Sequence, residues 1–303
     1  MFMPILILTM LKWKGSWKLF KDSVNAVFDL HLHTTYSDGE QSPEGLLKIL
    51  KANQVTHFAL TDHDNMAPFD DIKRAALEAG MHVVPGIEIS SVYKDVEVHI
   101  LGYCFDWRFP LLRSFIEERL VLRKERALLI IERLQNKGYL FSAEDFEKLM
   151  NRRYVGRPQI AQLLFEYGYV SDPKEAFTEA FIGDTSCKAI TYQLKTVEEA
   201  LTIIKQAGGL AFLAHPGLFS SESNQADGMN KYDLMRFVEM GINGIEVFHP
   251  RHSKSQIQRY ISFIANHQLL LSMGTDYHRG CYKPNTYAFN WSNYTKDVLS
   301  WIV

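Results

Sequence analysis

The sequence is poor in cysteine. Its 303 residues include three, Cys104, Cys187 and Cys281, which lie far apart and form no Cys-x-x-Cys pair. Neither a disulfide framework nor a thiolate zinc site is therefore expected. A chain with so few thiols fits a reducing compartment, and we predict a cytoplasmic protein.

An excess of charge of either sign is also missing. Lys and Arg total 33 while Asp and Glu total 35, which gives a net charge of -2. No global positive field is available to hold long nucleic acid by phosphate neutralisation, so we expect only local contacts to a nucleotide or short oligonucleotide. With 47% hydrophobic and 22% charged residues, a disordered or collagen-like chain is excluded. The length allows one large domain or two ordinary ones.

No membrane span is predicted. Residues 1–11 are apolar, but this stretch is short for a span, contains Pro4 and lacks the preceding basic region of a signal peptide. Residues 12–21 mix lysines with aromatic side chains and could lie on a membrane surface. The alternatives are an extension packed on the outside of the fold, or residues upstream of the natural start. We treat residues 1–26 as an N-terminal extension.

From residue 27 onward, short apolar or β-branched runs alternate with helix-like stretches, a pattern typical of βα units around a parallel sheet. Strands are predicted at residues 27–30, 57–60, 82–87, 96–101, 210–214, 244–248 and 269–273. Helices are predicted at residues 43–52, 67–79, 197–206, 231–240 and 253–265. Consecutive helices replace this alternation at residues 111–136, 143–150, 158–167 and 173–181. We predict an α/β barrel of residues 27–105 and 185–303, with a helical insertion at 106–184 that caps the substrate site.

Histidine, in contrast, is abundant, with 11 residues. His31 and His33 are two apart on a predicted strand, so their imidazoles point to the same face. Further ligand-type side chains lie on or just after other predicted strands: Asp62, His63, Asp64, Glu88, His99, His215, Asp276 and His278. In parallel barrels the carboxyl ends of the strands carry the site. Charged groups buried beside apolar strands need partners, and bound metal satisfies all of them at once.

The ligand types narrow the metal. Imidazole nitrogens mixed with carboxylate oxygens and without thiolate suit Mn, Fe or Zn rather than Mg or Ca alone. The ligands are too many for one ion, so we expect two or three divalent ions that share a bridging carboxylate. Such a centre can hold a phosphoryl group and generate hydroxide near neutral pH.

Taken together, these motifs resemble the polymerase and histidinol phosphatase (PHP) family. The resemblance rests on Asp29-Leu30-His31-x-His33-Thr34, Ser37-Asp38-Gly39, Thr61-Asp62-His63-Asp64, Gly86-Ile87-Glu88, His99-Ile100-Leu101-Gly102-Tyr103, Ala214-His215-Pro216 and Thr275-Asp276-Tyr277-His278. It implies a distorted (β/α)7 TIM-like barrel, the PHP fold, with a trinuclear site. It also implies three ligand groups: His31, His33, Glu88 and Asp276 for the first ion; Glu88, His99 and His215 for the second; Asp38, His63 and His278 for the third.

Residues 156–161 resemble a Gly-Arg-Pro-His-Ile-Ala segment of PHP members that act on nucleoside 3',5'-bisphosphates and on the 5' ends of short RNA. The resemblance implies that Arg157 binds a substrate phosphate, whereas Gln159 stands where those members have histidine. The alternative for Arg157 is a surface helix cation. Residues 246–253 resemble another segment of the same subfamily, which implies that His249 or His252 reaches the phosphate and leaves open which one.

Two aspartates and one basic run complete the candidates. Asp62 and Asp64 flank His63 and are candidates for orienting a ligand or for protonating the leaving group. The long predicted helix carries Arg119, Arg123, Lys124 and Arg126. For this run we expect a solvent-exposed face rather than a guide for short strands.

The predicted activity is hydrolysis of a nucleotide phosphoester. The substrate is a nucleoside 3',5'-bisphosphate that loses its 3'-phosphate, a short 5'-phosphorylated RNA trimmed from 5' to 3', or both. Two other classes stay open from the sequence: a metal-dependent amidohydrolase that breaks a C–N bond, and a non-catalytic nucleotide-binding module.

Overall fold

The structure is a computed structural model, and it describes residues 26–183, 195–219, 227–284 and 292–302. The predictions for residues 1–25 and for Cys187 concern parts of the chain outside these ranges. Within these ranges, no helix has the length and apolar character needed to cross a membrane.

Eight strands of the described residues form one sheet. They are β1 (Phe28–Asp29), β2 (His57–Leu60), β3 (His82–Tyr93), β4 (Val96–Tyr103), β5 (Lys195–Thr196), β6 (Leu210–Leu213), β7 (Gly244–Phe248) and β8 (Leu270–Met273). The order is β1-β2-β3-β4-β6-β7-β8, with β5 paired to β3. A hydrogen bond from Leu30 N to Met273 O and a bridge between Leu32 and Tyr277 join the last strand to the first. The sheet is therefore a nearly closed barrel, the distorted (β/α)7 barrel predicted from the sequence.

The α-helices of the described residues surround this barrel or connect its strands. They are α1 (Pro43–Ala52), α2 (Phe69–Glu78), α3 (Pro110–Asn136), α4 (Ala143–Met150), α5 (Arg157–Glu166), α6 (Val197–Gln206), α7 (Lys231–Met240), α8 (Lys254–His267) and α9 (Thr295–Ile302). Residues at the helix ends determine where individual helices begin and stop. The Ser42 side chain accepts a hydrogen bond from Gly45 N ahead of Pro43 in the first turn of α1. Gly241 ends α7 with a φ of 95°, a left-handed conformation that glycine adopts without strain.

Strand β4 corrects the expectation of a purely parallel sheet. It runs antiparallel to both β3 and β6. The two residues between β3 and β4, Lys94 and Asp95, have φ values of 50° and 61° and form a tight hairpin turn. A two-residue turn can connect only antiparallel strands, and the hairpin also extends β3 to Tyr93, beyond the predicted end at residue 87.

The described residues between β4 and β5, 104–183, contain the consecutive helices predicted from the sequence, except for the last one. The helix predicted at residues 173–181 is a short 3-10 helix, Pro173–Phe177, which ends because Thr178 has an extended backbone with φ -88° and ψ 163°. Helices α3 to α5 bury a group of apolar side chains of their own, among them Ile131, Leu134, Ile160 and Leu164. These residues are distinct from those that fill the barrel.

Candidate metal centre and substrate cavity

Glu88, fully buried within β3, lies at the centre of a cluster of ligand-type side chains. Its Oε2 is 3.1 Å from Nε2 of His31 and 3.1 Å from Nε2 of His33. Oδ1 of Asp276 lies 3.4 Å and 3.2 Å from the same two nitrogens. These four ligand atoms are close enough to share one ion, and they are the four side chains predicted for the first metal.

The other oxygen of Glu88 faces a second group. Its Oε1 is 2.9 Å from Nδ1 of His99 and 3.2 Å from Nε2 of His215, and these two nitrogens are 3.3 Å apart. Nδ1 of His63 lies 3.1 Å from Oε2 of Glu88 on the same carboxylate. Both oxygens of Glu88 are therefore surrounded by imidazoles, which is the arrangement required of a bridging ligand.

A third group forms around Asp38. Its Oδ1 is 3.4 Å from Nε2 of His278 and 3.6 Å from Nδ1 of His33, and its Oδ2 is 3.9 Å from Nε2 of His63. These four side chains could also hold one ion. The structure thus brings all nine predicted ligands together at one end of the barrel.

Several atoms in this cluster are buried without a hydrogen-bond partner among the described residues. They are Nε2 of His31, Nε2 of His33, Nδ1 of His63, Oε2 of Glu88 and Oδ1 of Asp38. A buried polar atom left unsatisfied costs about 1–3 kcal/mol. All five are competent metal ligands that point into common space, so this donor set fits divalent ions of the Mn, Fe or Zn type.

The carboxylates of the cluster favour positive charge on the neighbouring imidazoles. Burial lowers the pKa of His33, but Asp276 and Glu88 outweigh burial and raise that pKa to about 10. Burial likewise opposes the charged form of His99, and Glu88 nevertheless raises its pKa to about 10. Divalent ions would supply this charge while the imidazoles stay neutral, which is the form that binds metal.

Backbone strain is concentrated at the same end of the barrel. Asp64, His215 and Asp276 have φ values of 45°, 24° and 53°, which non-glycine residues rarely adopt. Gly274 must lack a side chain because a Cβ there would collide with His31. Strain of this kind is typical of functional sites that the surrounding structure holds in place.

Two buried carboxylates that the sequence analysis did not assign support the ligands from behind. Glu246, inside β7, accepts hydrogen bonds from Nδ1 of His31 at 2.9 Å and from the backbone N of His215 at 2.7 Å. This contact directs Nε2 of His31 toward the cluster. Asp29 accepts from the hydroxyls of Thr275 and Tyr282, both at 2.7 Å. For both Glu246 and Asp29, the feature of the sequence that could have indicated this role is a carboxylate within an otherwise apolar strand.

Asp62, which follows β2, accepts hydrogen bonds from the loop that follows β1. Its oxygens accept hydrogen bonds from the backbone N and the hydroxyl of Thr34 and from the hydroxyl of Ser37, each at 2.7 Å. Burial raises the pKa of Asp62 above its ordinary value, against the opposing effect of these donors. Because Ser37 precedes Asp38, Asp62 fixes the segment that carries this ligand.

Asp64 is joined to the long helix α3. Arg119 donates to it through Nε at 3.2 Å and Nη2 at 3.1 Å, and Arg123 donates through Nε at 2.7 Å. Ser90 N donates to the same carboxylate at 3.1 Å. Burial opposes ionisation of Asp64, but the two guanidinium groups hold its pKa below the ordinary value.

We predicted a solvent-exposed basic face on α3. These contacts show that this prediction is wrong for the three arginines of the predicted basic run. Arg119, Arg123 and Arg126 are buried, and Arg119 is only 1% exposed. Arg126 pairs with Glu97 on β4, with 3.4 Å between Nη2 and Oε2. The acidic partners lie far away in sequence, so the basic run alone gave no indication of burial.

An open cavity of about 100 Å³ adjoins the candidate metal ligands. Its lining includes Asp38, His63 and His99 together with Arg126 and Arg157. Arg157 is the first residue of α5, and its Nη2 is 3.2 Å from Oε2 of Glu97. The Glu97 carboxylate therefore contacts the guanidinium groups of both Arg126 and Arg157. Burial opposes ionisation of Glu97, but its contacts with His99 and the two arginines hold its pKa well below the ordinary value. Nε of Arg126 has no hydrogen-bond partner in the described ranges.

Gln159, which departs from the histidine of the resembled segment, joins α5 to the ligand-bearing loop. Its Nε2 donates to the carbonyl of Ser37 at 3.0 Å, and its Oε1 accepts from Gly156 N at 2.8 Å. The side chain thus links the start of α5, where Arg157 lies, to the segment that carries Asp38.

The two histidines that follow β7, His249 and His252, make different contacts. Nε2 of His249 is 3.4 Å from Oδ2 of Asp276, and its Nδ1 accepts from Arg251 N at 3.2 Å. Both nitrogens of His252 bond to backbone: Nδ1 to Val247 O at 2.9 Å and Nε2 to Gly217 N at 3.1 Å. Burial lowers the pKa of His252 to about 4. His249 therefore borders the cluster, while His252 holds two loops together.

Comparison with known proteins agrees with this geometry. The model of the PHP domain matches residues 29–177. The chain is 30% identical over 259 residues to the 5'-3' exoribonuclease Rnm of Escherichia coli, which covers 84% of this chain and 86% of the relative. It is 28% identical over 257 residues to the 3',5'-nucleoside bisphosphate phosphatase of Chromobacterium violaceum, with 84% and 87% covered. A phosphoribosyl 1,2-cyclic phosphate 1,2-diphosphodiesterase of Eggerthella lenta is 28% identical over 259 residues, with 82% and 93% covered.

A solved structure supports the same assignment. An inferred metal-dependent phosphoesterase from Bifidobacterium adolescentis superposes with a TM-score of 0.75 at 25% identity, covering 91% of this chain and 95% of the other. The fold, the clustered ligands and the relatives agree. The chain belongs to the PHP family and is a metal-dependent phosphoesterase.

Proposed function

We propose that this protein removes the 3'-phosphate from nucleoside 3',5'-bisphosphates. The observation that carries the proposal is a single cavity lined both by candidate metal ligands and by Arg126 and Arg157. A substrate with two phosphates uses both features: Arg157 holds the 5'-phosphate, and the adjacent 3' phosphoester then lies at the metals.

In this proposal two or three divalent ions, Mn, Fe or Zn, are bound by the three ligand groups. The first group is His31, His33, Glu88 and Asp276; the second is Glu88, His99 and His215; the third is Asp38, His63 and His278. When bound, the ions supply Lewis-acid stabilisation of the phosphoryl oxygens and activate water near neutral pH.

The chain itself binds and orients the substrate. The planar guanidinium of Arg157 matches two phosphate oxygens, and Arg126 adds a second guanidinium to the lining of the same cavity. Glu97 holds both guanidinium groups in place within the cavity. His249, whose Nε2 lies beside Asp276, is the better of the two candidate histidines for a phosphate contact, because both nitrogens of His252 already bond to backbone.

Asp62 and Asp64 act in this proposal as positioning residues rather than as proton donors to the leaving group. Their oxygens already accept hydrogen bonds from Thr34 and Ser37, and from Arg119 and Arg123, respectively. Asp62 thereby positions the loop of Asp38, and Asp64 positions the neighbouring ligand His63.

A second candidate is 5'-to-3' trimming of short 5'-phosphorylated RNA. The cavity is partly open to solvent, which leaves room for a chain beyond the 3' phosphate, and the exoribonuclease Rnm is among the relatives. We also propose that residues 106–184 cap the substrate. A cytoplasmic location fits the unpaired Cys104 and Cys281.

The test is a substrate panel with Mn-loaded protein. Adenosine 3',5'-bisphosphate should release inorganic phosphate, and 5'-phosphorylated di- to pentanucleotides should release 5'-mononucleotides if the second candidate also holds. Ribose 1,2-cyclic phosphate substrates complete the panel. His31→Ala and Glu88→Ala should abolish turnover while circular dichroism shows a folded chain. Full activity in either variant, or no release from any substrate by the wild type, would overturn the proposal.

A further inference from the structure

We propose that Phe177, with the apolar part of the cavity wall, binds the nucleobase of the substrate by stacking and does so without selecting the base. This inference rests on the proposed function, because it uses the same cavity. It adds a binding subsite at the end of the helical segment, which neither the motifs nor the metal ligands indicate.

The first observation is the exposure of the Phe177 ring. Phe177 is the last residue of the 3-10 helix, and it is 43% exposed although the adjacent Ala176 is fully buried. It lines the same cavity as the metal ligands. Among the described residues, the other benzene-type ring in that lining belongs to Tyr154, which is 4% exposed and is covered by the guanidinium of Arg123 at 4.6 Å. Phe177 therefore presents the accessible aromatic surface of the cavity.

The second observation is a change of chemistry along α3. Four of its residues line the cavity, and they follow one another at helical spacing as Arg123, Arg126, Ala127 and Ile130. The wall changes from charged to apolar over these two turns, a distance of roughly 10 Å along the helix axis. Ile160, one turn after Arg157 on α5, adds to the apolar part. A nucleotide has the same polarity, with phosphate at one end and a flat apolar face at the other.

The third observation is which side chains the lining lacks. Among the described residues, neither asparagine nor glutamine lines this cavity. Those amides are common readers of base edges. The acidic and basic groups of the lining are instead candidate metal ligands or members of ion pairs, in which Arg126 and Arg157 contact Glu97 and Arg123 contacts Asp64. Stacking on an aromatic ring tolerates every base because each has a π-face.

The test compares Phe177→Ala with wild type on four nucleoside 3',5'-bisphosphates that differ only in the base. The variant should lose roughly tenfold to a hundredfold in kcat/KM, mainly through KM, and equally for all four bases. Phe177→Trp should retain activity. Phe165→Ala is the matched control, because Phe165 is also exposed, at 42%, on α5 but does not line the cavity.

A substrate without a base separates stacking from a merely structural effect. On ribose 3,5-bisphosphate, Phe177→Ala should match the wild type, since there is no ring to stack. Equilibrium binding of adenosine 5'-monophosphate and of ribose 5-phosphate provides the same comparison without turnover, and only the first should weaken in Phe177→Ala.

The outcomes distinguish this inference from the proposed function. If the wild type hydrolyses the bisphosphates and Phe177→Ala is unchanged, or loses equally on the substrate without a base, the stacking subsite is wrong and the function stands. A preference of more than tenfold for one base overturns the absence of selection. If the wild type hydrolyses none of them, the proposed function fails, and the binding comparison still decides the subsite.

Discussion

Glu246 fixes the direction of the candidate metal ligand His31, because its two oxygens bond to Nδ1 of His31 and to the backbone of His215. Replacing it in Glu246→Gln removes the charge and sets an amide N–H against one of these donors. Loss of such a supporting group typically weakens metal binding roughly tenfold to a hundredfold. Chelator competition should show this decrease for the Mn-loaded protein.

The control for this variant is Glu239→Gln, a surface change on α7 where the side chain is exposed beside Arg236. It should leave metal affinity at the wild-type value. Equal affinity in Glu246→Gln and Glu239→Gln would argue that Glu246 has no part in orienting His31.

Arg157 is the second side chain with a distinct expected effect. A charge-assisted contact to phosphate contributes about 1.5–3 kcal/mol, so Arg157→Met should raise KM for a nucleoside 3',5'-bisphosphate roughly tenfold to a hundredfold. Arg153→Met is the matched control, because Arg153 is exposed and pairs with Glu117. Steady-state kinetics that show an unchanged KM in Arg157→Met would remove Arg157 from the substrate site.

The sequence predicted which side chains would cluster, and it offered Asp62 and Asp64 as candidates for orienting a ligand, but it did not predict the pairing of Glu97 with Arg126. The nine candidate ligands lie in short motifs on or next to strands, where a local pattern is informative. Glu97 and Arg126 meet only because β4 and α3 pack together. No local pattern encodes that contact, so these residues could not be assigned from sequence alone.

Helix α3 couples the helical segment to the metal centre through Arg119, Arg123 and Asp64. Removing one partner of a buried ion pair leaves a charge poorly compensated, so Arg119→Met should lower the free energy of unfolding by about 3 kcal/mol. It should also reduce the number of ions retained, because Asp64 adjoins the ligand His63.

Chemical denaturation and metal analysis measure these two effects. Arg113→Met, an exposed change on the same helix, should alter the free energy of unfolding by no more than about 0.5 kcal/mol. If Arg119→Met behaves like Arg113→Met in both measurements, the connection between α3 and Asp64 has no energetic role.

The strands illustrate the limit of prediction for whole elements. Apolar runs predicted β2 and β7 at their observed residues, because a buried strand requires a run of apolar side chains. The direction of β4 was not available in the same way, since its turn contains Lys94 and Asp95 rather than an Asn-Gly or Asp-Gly pair. Pairing direction follows from the turn, and this turn has no clear local sequence pattern.

The molecule as a whole has almost no net charge, yet the barrel end is strongly anionic around Glu88. In the metal-free protein, protons on His33 and His99 balance this charge, and the pKa of each is raised to about 10. An unfolded histidine has a pKa of about 6.5. The stabilising contribution is therefore fully present below about pH 6.5 and is lost as the pH rises toward 10.

We accordingly expect the Tm of chelator-treated protein to fall between pH 6.5 and 10. The Mn-loaded protein should change much less over this range, because its imidazoles are neutral ligands at every pH within it. Differential scanning fluorimetry of the two forms checks the difference. Parallel pH profiles would show that the histidines do not exchange protons for metal.

The central claim is that nine side chains from separate strands and loops form one centre for two or three ions. Elemental analysis of the purified full chain, after incubation with Mn and removal of free metal, tests it most directly. We predict at least two tightly bound ions per chain in the wild type and a lower number in Glu88→Ala, because Glu88 serves two ions. Fewer than two ions per wild-type chain would contradict the account.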